Sequence, residues 1–337
     1  MSILKCVAFI DILGFSSYIK NDTFGALDLL GTANQVIKTR LIDPASSTHN
    51  EPSLQKIAKV HSAESFEAYL PMSDSIFIIG QNPNDFVEQV SSFLCSCYRL
   101  TSHAYSHPEN ESNPVTVTMK QVKIDADGGF KTSDEIANWY PNIFRGGVSI
   151  GEAVIFSALA IFRNKELISE RERKIIEFSG GKFGTGSVSN VAGKAVVEAV
   201  ELEKSGGIGP KLYLTNEIIN ALDAEHKAFV KTDSDGKNYY LWPAYFIDSF
   251  DNDLSIEWHS TFYDIVKGSI NLYNFHLANS ASRVAEHYKE FVKLIADSFI
   301  AVSRFKGDTN GSKLLKEFFE QMGFSSKVCI TEFNIEL

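Results

Sequence analysis

No run of about 18 uninterrupted apolar residues occurs in this chain, which argues against a membrane-spanning helix. Cysteine is scarce. Cys6, Cys95, Cys97 and Cys329 are the only four in 337 residues, and none belongs to a CxxC pair. A disulfide framework or a zinc ribbon does not fit that count, so buried, reduced thiols in a cytoplasmic protein are expected. Positive charge is also in deficit: 32 Lys and Arg face 42 Asp and Glu, for a net charge of −10. A protein that binds a nucleic-acid polymer needs a basic surface to displace counterions, and this composition offers none. The first residues, Met1 to Lys5, run straight into a strand-like stretch without a secretory cleavage pattern.

What is present is ordinary globular material, 44% hydrophobic and 22% charged. Residues 3–13 read as a β-rich run and 24–41 as a helix, followed by a polar loop over 42–54. SFEAYLPMSDSIFIIG (65–80) reads as two strands around a turn, and a second helix is expected over 84–105. Residues 106–142 break this rhythm and read as an insertion. FRGGVSIGEAVIF (144–156) is a strand and turn, and a helix is expected over about 190–204. KLYLT (211–215) is a strand, followed by a short helix and a hairpin around Asp235 and Gly236. Residues 257–323 carry a helical pattern almost throughout. The order β-α-β-β-α-β predicts an α+β, ferredoxin-like sandwich over 1–250, with a helical C-terminal extension over 251–337.

Two aspartates stand out. Asp11 lies within the apolar strand FIDILGF (9–15), and Asp74 lies between two strand segments in MSDSIF (72–77). A carboxylate beside a core strand is costly unless it meets a cation or hydrogen-bond donors. Convergence on one divalent cation is one explanation, since magnesium prefers oxygen ligands. A helix cap at Asp11 and a hairpin turn at Asp74 explain the same residues without chemistry. The spacing alone leaves both open.

FIDILGF and SDSIF resemble the two metal-binding motifs of class III nucleotidyl cyclases. FRGGVSIGE (144–152) is similar to that family's following strand, and NVAGKAVVEAVELE (190–203) to the helix start that comes after it. The four motifs occur in family order. The resemblance implies a cyclase core of ferredoxin-like type and two Mg2+ or Mn2+ ions held by Asp11, Asp74 and the carbonyl of Ile12. It also implies that Arg145 contacts the triphosphate, with Lys194 as a possible assistant. The site would form between two chains in a head-to-tail homodimer.

The family's purine readers are a Lys four residues before the second Asp and an Asp three residues before the helix-start Gly. Here those positions are Leu70, beside Tyr69, and Asn190. The pattern is closer to the pyrimidine-cyclase branch of Pycsar anti-phage systems. That implies CTP or UTP as substrate and cyclic CMP or cyclic UMP as product, with Tyr69, Leu70 and Asn190 near the base. An amide at position 190 can face either pyrimidine. Val197 and Glu201 replace the purine enzymes' transition-state Asn and Arg. A purine cyclase and a non-catalytic cyclase-like dimerisation module remain as alternatives.

Other signals are weaker. GGKFGTGS (180–187) lacks the order of a phosphate-binding P-loop and reads as a loop. DADGG (125–129) and DSDG (233–236) lack calcium-loop spacing. His103 and His107 are four residues apart without further ligands, so helix-surface histidines explain them better than zinc.

Overall fold

The computed structural model describes residues 4–21, 23–42, 58–102, 105–106, 116–124, 130–138, 141–162, 184–245 and 256–336. At its centre is a mostly antiparallel seven-stranded sheet built around β1 (Leu4–Ile12). β1 is flanked by β3 (Ser75–Gly80) and β6 (Phe144–Glu152), and β2 (Phe66–Met72) lies outside β3. β9 (Leu212–Leu214) joins β6 in the parallel sense, and β11 (Asn238–Tyr240) and β10 (Val230–Thr232) complete that edge.

Two helices link β1 to β2: α1 (Phe15–Asn21) and α2 (Thr23–Ile42). α3 (Pro83–Ser102) links β3 towards β6. The α+β expectation therefore holds, and the strand order β6-β1-β3-β2 has the β-α-β-β-α-β connectivity read from the sequence. α1 is additional to that reading. It follows Gly14, whose φ of 85° lets the chain turn directly out of β1.

β1 separates two apolar layers by simple alternation. Cys6, Ala8, Ile10 and Ile12 join the large core beneath α2 and α3, whereas Val7 and Phe9 face a smaller cluster under α4 (Lys194–Lys204). α4 contributes Ala195, Val196 and Ala199 to that cluster. It can lie this close because β6 has glycine at 147: a Cβ there would collide with the carbonyl oxygen of Ala199 and with Cβ of Leu202.

The helix expected over 190–204 begins later than the sequence pattern indicates. Residues up to Ala192 belong to β8 (Gly184–Ala192), which pairs with β7 (Val154–Phe162) in a separate two-stranded sheet. Gly193, at φ 140°, divides strand from helix, and a side chain there would strike the carbonyl of Glu152. Gly184 to Gly186 are therefore strand rather than loop. The expected insertion carries a hairpin of its own, β4 (Thr116–Ile124) against β5 (Phe130–Asn138). The DADGG turn, residues 180–183, His103, His107 and the polar loop from residue 43 lie outside the described residues.

α5 (Asn216–Ala221) and α6 (Ala224–Lys227) follow β9 with side-chain caps from Thr215 and Asp223. The chain ends in α7 (Ile256–Ala278), α8 (Ser282–Phe305), α9 (Gly311–Gln321) and α10 (Ser326–Glu332). These helices share the large core. Tyr98 on α3 hydrogen-bonds Ser269 on α7 at 2.6 Å and meets the Phe291 ring edge-on at 4.6 Å. Trp242 stacks on the same ring at 5.4 Å and donates its indole N–H to the Pro210 carbonyl at 2.7 Å. Fully burying an aromatic of this size is worth about 2–3 kcal/mol, and its polar tip must also find a partner.

All four cysteines are buried thiols outside any disulfide. Among the described residues, no helix is long and apolar enough to cross a membrane.

Candidate functional site

The alternation that sends Ile10 and Ile12 to the large core puts Asp11 on the α4 side, beyond Val7 and Phe9. Asp11 is flanked in register by Ser75 on β3 and Arg145 on β6. The Ser75 hydroxyl donates to Oδ1 of Asp11 at 3.0 Å. Asp74 immediately precedes Ser75 in the β2–β3 turn, which Ser73 closes at φ 61°. The main-chain N–H of Ile12 donates to the Asp74 carbonyl at 3.0 Å, fastening that turn to the end of β1. Two residues distant in sequence thus meet because β1 and β3 are sheet neighbours.

Burial pushes the Asp11 carboxyl up to about 6; the Ser75 hydrogen bond opposes this, the charges of Glu203 and Asp74 add to it, and Arg145 opposes it. A half-buried carboxylate with two acidic neighbours lacks sufficient positive charge, and a bound cation would relieve that imbalance.

Arg145 makes up little of this deficit, because its guanidinium is committed to Glu203. Its Nε donates to Oε1 of Glu203 at 2.8 Å, Nη2 donates to the same oxygen, and Nη1 reaches the Gly207 carbonyl at 3.4 Å. Glu203 is only 5% exposed. Neither Ser75 nor Glu203 stood out as a functional residue in the sequence. Glu203 does carry a signal, because it follows Ala195 and Ala199 at four-residue spacing on the buried stripe of α4. A charge on such a stripe requires an opposite partner.

The other sequence candidates are dispersed. Ile12 is buried to 1% and faces the large core, so only its backbone is available to the site. Leu70 packs in the α4-side cluster, the same sheet face as Asp11. Tyr69 is on the opposite face, where its ring meets Phe93 edge-on and its hydroxyl donates to Asn34 Oδ1 at 3.1 Å. Asn190 lies on β8 opposite Phe156, with its side-chain oxygen accepting from the Val191 N–H at 2.8 Å. Lys194 is exposed at the start of α4 and pairs with Glu198 at 3.3 Å.

The donors at Asp11, Asp74 and the Ile12 backbone are all oxygens, which fits a hard divalent cation better than zinc or copper. Among the described residues, no group of three or more His, Cys, Asp or Glu side chains is assembled, so the side chains there form no closed cage. Magnesium sites that share their ion with substrate phosphates have this open character. No protein-family model matches the chain, and no curated protein matches it.

Proposed function

We propose that the chain is a pyrimidine nucleotide cyclase that converts CTP or UTP to the 3′,5′-cyclic monophosphate and pyrophosphate, as a second messenger in anti-phage defence. The convergence of Asp11 and Asp74 at the β1–β3 junction carries this reading. The resemblance of four ordered sequence motifs to class III cyclases supplies the reaction, and the Pycsar-like features at Leu70 and Asn190 supply the base and the biological setting.

Asp11, Asp74 and the Ile12 carbonyl would hold two Mg2+ or Mn2+ ions, which would supply Lewis acidity towards the ribose 3′-hydroxyl and the triphosphate. Ser75 holds one oxygen of Asp11 and leaves the other for coordination. The 3′-oxygen bonds to the α-phosphorus as the bond to the β-phosphate bridging oxygen breaks, and the hydroxyl proton leaves to solvent. Arg145 lies next to Asp11 in register and meets the triphosphate by sharing or exchanging its Glu203 partner. Leu70 offers an apolar wall on the Asp11 face, and Asn190 offers an amide once its own backbone contact yields. Tyr69 buttresses β2 from behind, through Asn34.

A head-to-tail homodimer completes the site. Val154, Ile155 and Phe156 on β7, the strand paired with that of Asn190, and Val197 on α4, the helix that follows it, are exposed hydrophobics, which suits contact with a second copy.

The test is to incubate purified protein with each nucleoside triphosphate and Mn2+ or Mg2+, with and without phage-infected lysate, and to identify products by mass spectrometry. Cyclic CMP or cyclic UMP is expected, and Asp74→Ala should abolish it. A dominant cyclic purine would identify a purine cyclase. No cyclic product under any condition would leave a non-catalytic module.

A further inference from the structure

On the opposite side of the sheet from Asp11, α2, α3 and the segment entering β2 border an open cavity of about 380 Å3. Its walls include Val36 and Leu100, and its polar lining comes from Arg40, His61, Ser96 and Arg99. This volume falls within the range of small-molecule sites.

Arg40 is the unusual member. It is 7% exposed, and its Nη2 donates to the Ser92 carbonyl at 2.9 Å, to Ser92 Oγ at 3.1 Å and to Ser96 Oγ at 2.7 Å. Its Nη1 has no hydrogen-bond partner. Among the described residues, no carboxylate lines the cavity and neither Arg40 nor Arg99 forms an ion pair. Burial lowers Arg40 only to about 10, so it stays charged at neutral pH. Burial and the two arginines lower His61 to about 4, so it stays neutral there and shares a 2.9 Å hydrogen bond with Ser92 Oγ. A buried guanidinium without a counter-charge is strongly unfavourable unless something outside the protein supplies one. In a chain of net charge −10, two arginines on one cavity with no ion-pair partner among the described residues are a local reversal of sign.

We propose that this cavity binds a small phosphate monoester with a compact apolar body, its dianion held by Arg40 and Arg99 and its body seated against Val36 and Leu100. A dianion matches the two cations, and the guanidinium fork matches phosphate oxygens. The apolar walls and the volume favour an ester over bare phosphate. The site is separate from the proposed cyclase centre and stands whether or not that centre is catalytic.

Isothermal titration of the purified full chain with phenyl phosphate, inorganic phosphate and benzoate, in buffers of matched ionic strength, tests the assignment. Phenyl phosphate should bind saturably at one site per chain and at least tenfold more tightly than either other anion. Arg40→Met should weaken it tenfold or more, and Arg99→Gln several-fold. Absence of saturable phenyl phosphate binding would overturn the proposal, as would equal or tighter binding of benzoate or inorganic phosphate. Unchanged affinity in Arg99→Gln would also overturn it, and that exposed substitution decides the matter if Arg40→Met fails to give a cooperative thermal transition.

Discussion

Asp11 and Arg145 are direct neighbours across the β1–β6 pairing, yet the Arg145 guanidinium is committed to Glu203 on α4. The arginine therefore ties the helix to the sheet while standing beside an acidic pair. Arg145→Met should destabilise the fold by about 3 kcal/mol, because Glu203 is left buried and unpaired. The double variant Arg145→Met/Glu203→Leu should recover most of that loss, since removing both charges removes the desolvation cost. Urea unfolding of the wild type, Arg145→Met, Glu203→Leu and the double variant gives the coupling directly. A double variant no more stable than Arg145→Met would show that the pair is not the source of the loss.

The Asp11 carboxyl gives a pH-dependent signature. Its pKa is raised in the folded state from 3.8 to about 6, so the folded protein keeps this proton over a range where the unfolded chain has lost it. Its contribution to stability is complete below about pH 4 and declines as pH rises through 6. Asp11→Asn should thus match the wild type near pH 4 and exceed it near pH 7.5. In chelator-treated protein the gain should be about 1–2 kcal/mol, after discounting the full shift for solvent screening of a half-buried group. Mn2+ should raise the wild-type melting temperature near pH 7.5 and leave Asp11→Asn unmoved. A difference between the two proteins that is constant with pH would contradict this account.

How much of this was legible in the sequence depends on the range of the interaction. Strands β1, β2 and β3 and helices α2 and α3 follow from local periodicity, and the β-α-β-β-α-β order follows from them. The approach of Asp74 to the Asp11 end of β1 could be suspected because both sit in apolar strand contexts. The helix start near Asn190 was misplaced, because a helix-like pattern continues upstream of Gly193 while the chain pairs with β7 there. Tyr69 and Leu70 are consecutive, so strand alternation must send them to opposite faces, and only the sheet's packing decides which one shares the face of Asp11. The Arg40 cavity had no local signature at all. It arises where α2, α3 and the segment around Ala58 and His61 pack together, contacts that no local pattern encodes.

Gly147 sets how closely α4 approaches β6. Gly147→Ala places a Cβ into the Ala199 carbonyl and Leu202 Cβ, neither of which is the free end of a flexible side chain. The helix must shift outward, at a cost of about 2–3 kcal/mol. Because Glu203 rides on the same helix, the Arg145 pairing should loosen as well. The checks are urea unfolding and hydrogen exchange, with faster exchange expected in α4 than in α3. Wild-type stability in Gly147→Ala would mean that the close approach is not needed.

Gln89 on α3 holds the segment that enters β2. Its side-chain oxygen accepts from the Ser65 N–H at 3.0 Å and the Ser65 hydroxyl at 2.7 Å, while its amide donates to the Lys59 carbonyl at 3.0 Å and Ser62 Oγ at 2.9 Å. At 1% exposure, water cannot replace these contacts. Gln89→Leu removes all four and strands several polar groups, so it should cost about 2–4 kcal/mol. Gln89→Glu keeps the acceptor but loses the donor when ionised, setting a carboxylate against the Lys59 carbonyl. Its loss should therefore be larger near pH 8 than near pH 5, where a buried carboxyl can keep its proton and donate it. Unfolding curves at the two pH values separate the cases. A pH-independent loss in Gln89→Glu would mean that the Lys59 contact contributes nothing. Since residues 59–65 also lead to the strand before Asp74, both variants should blunt the Mn2+-induced rise in melting temperature if the turn depends on this anchor.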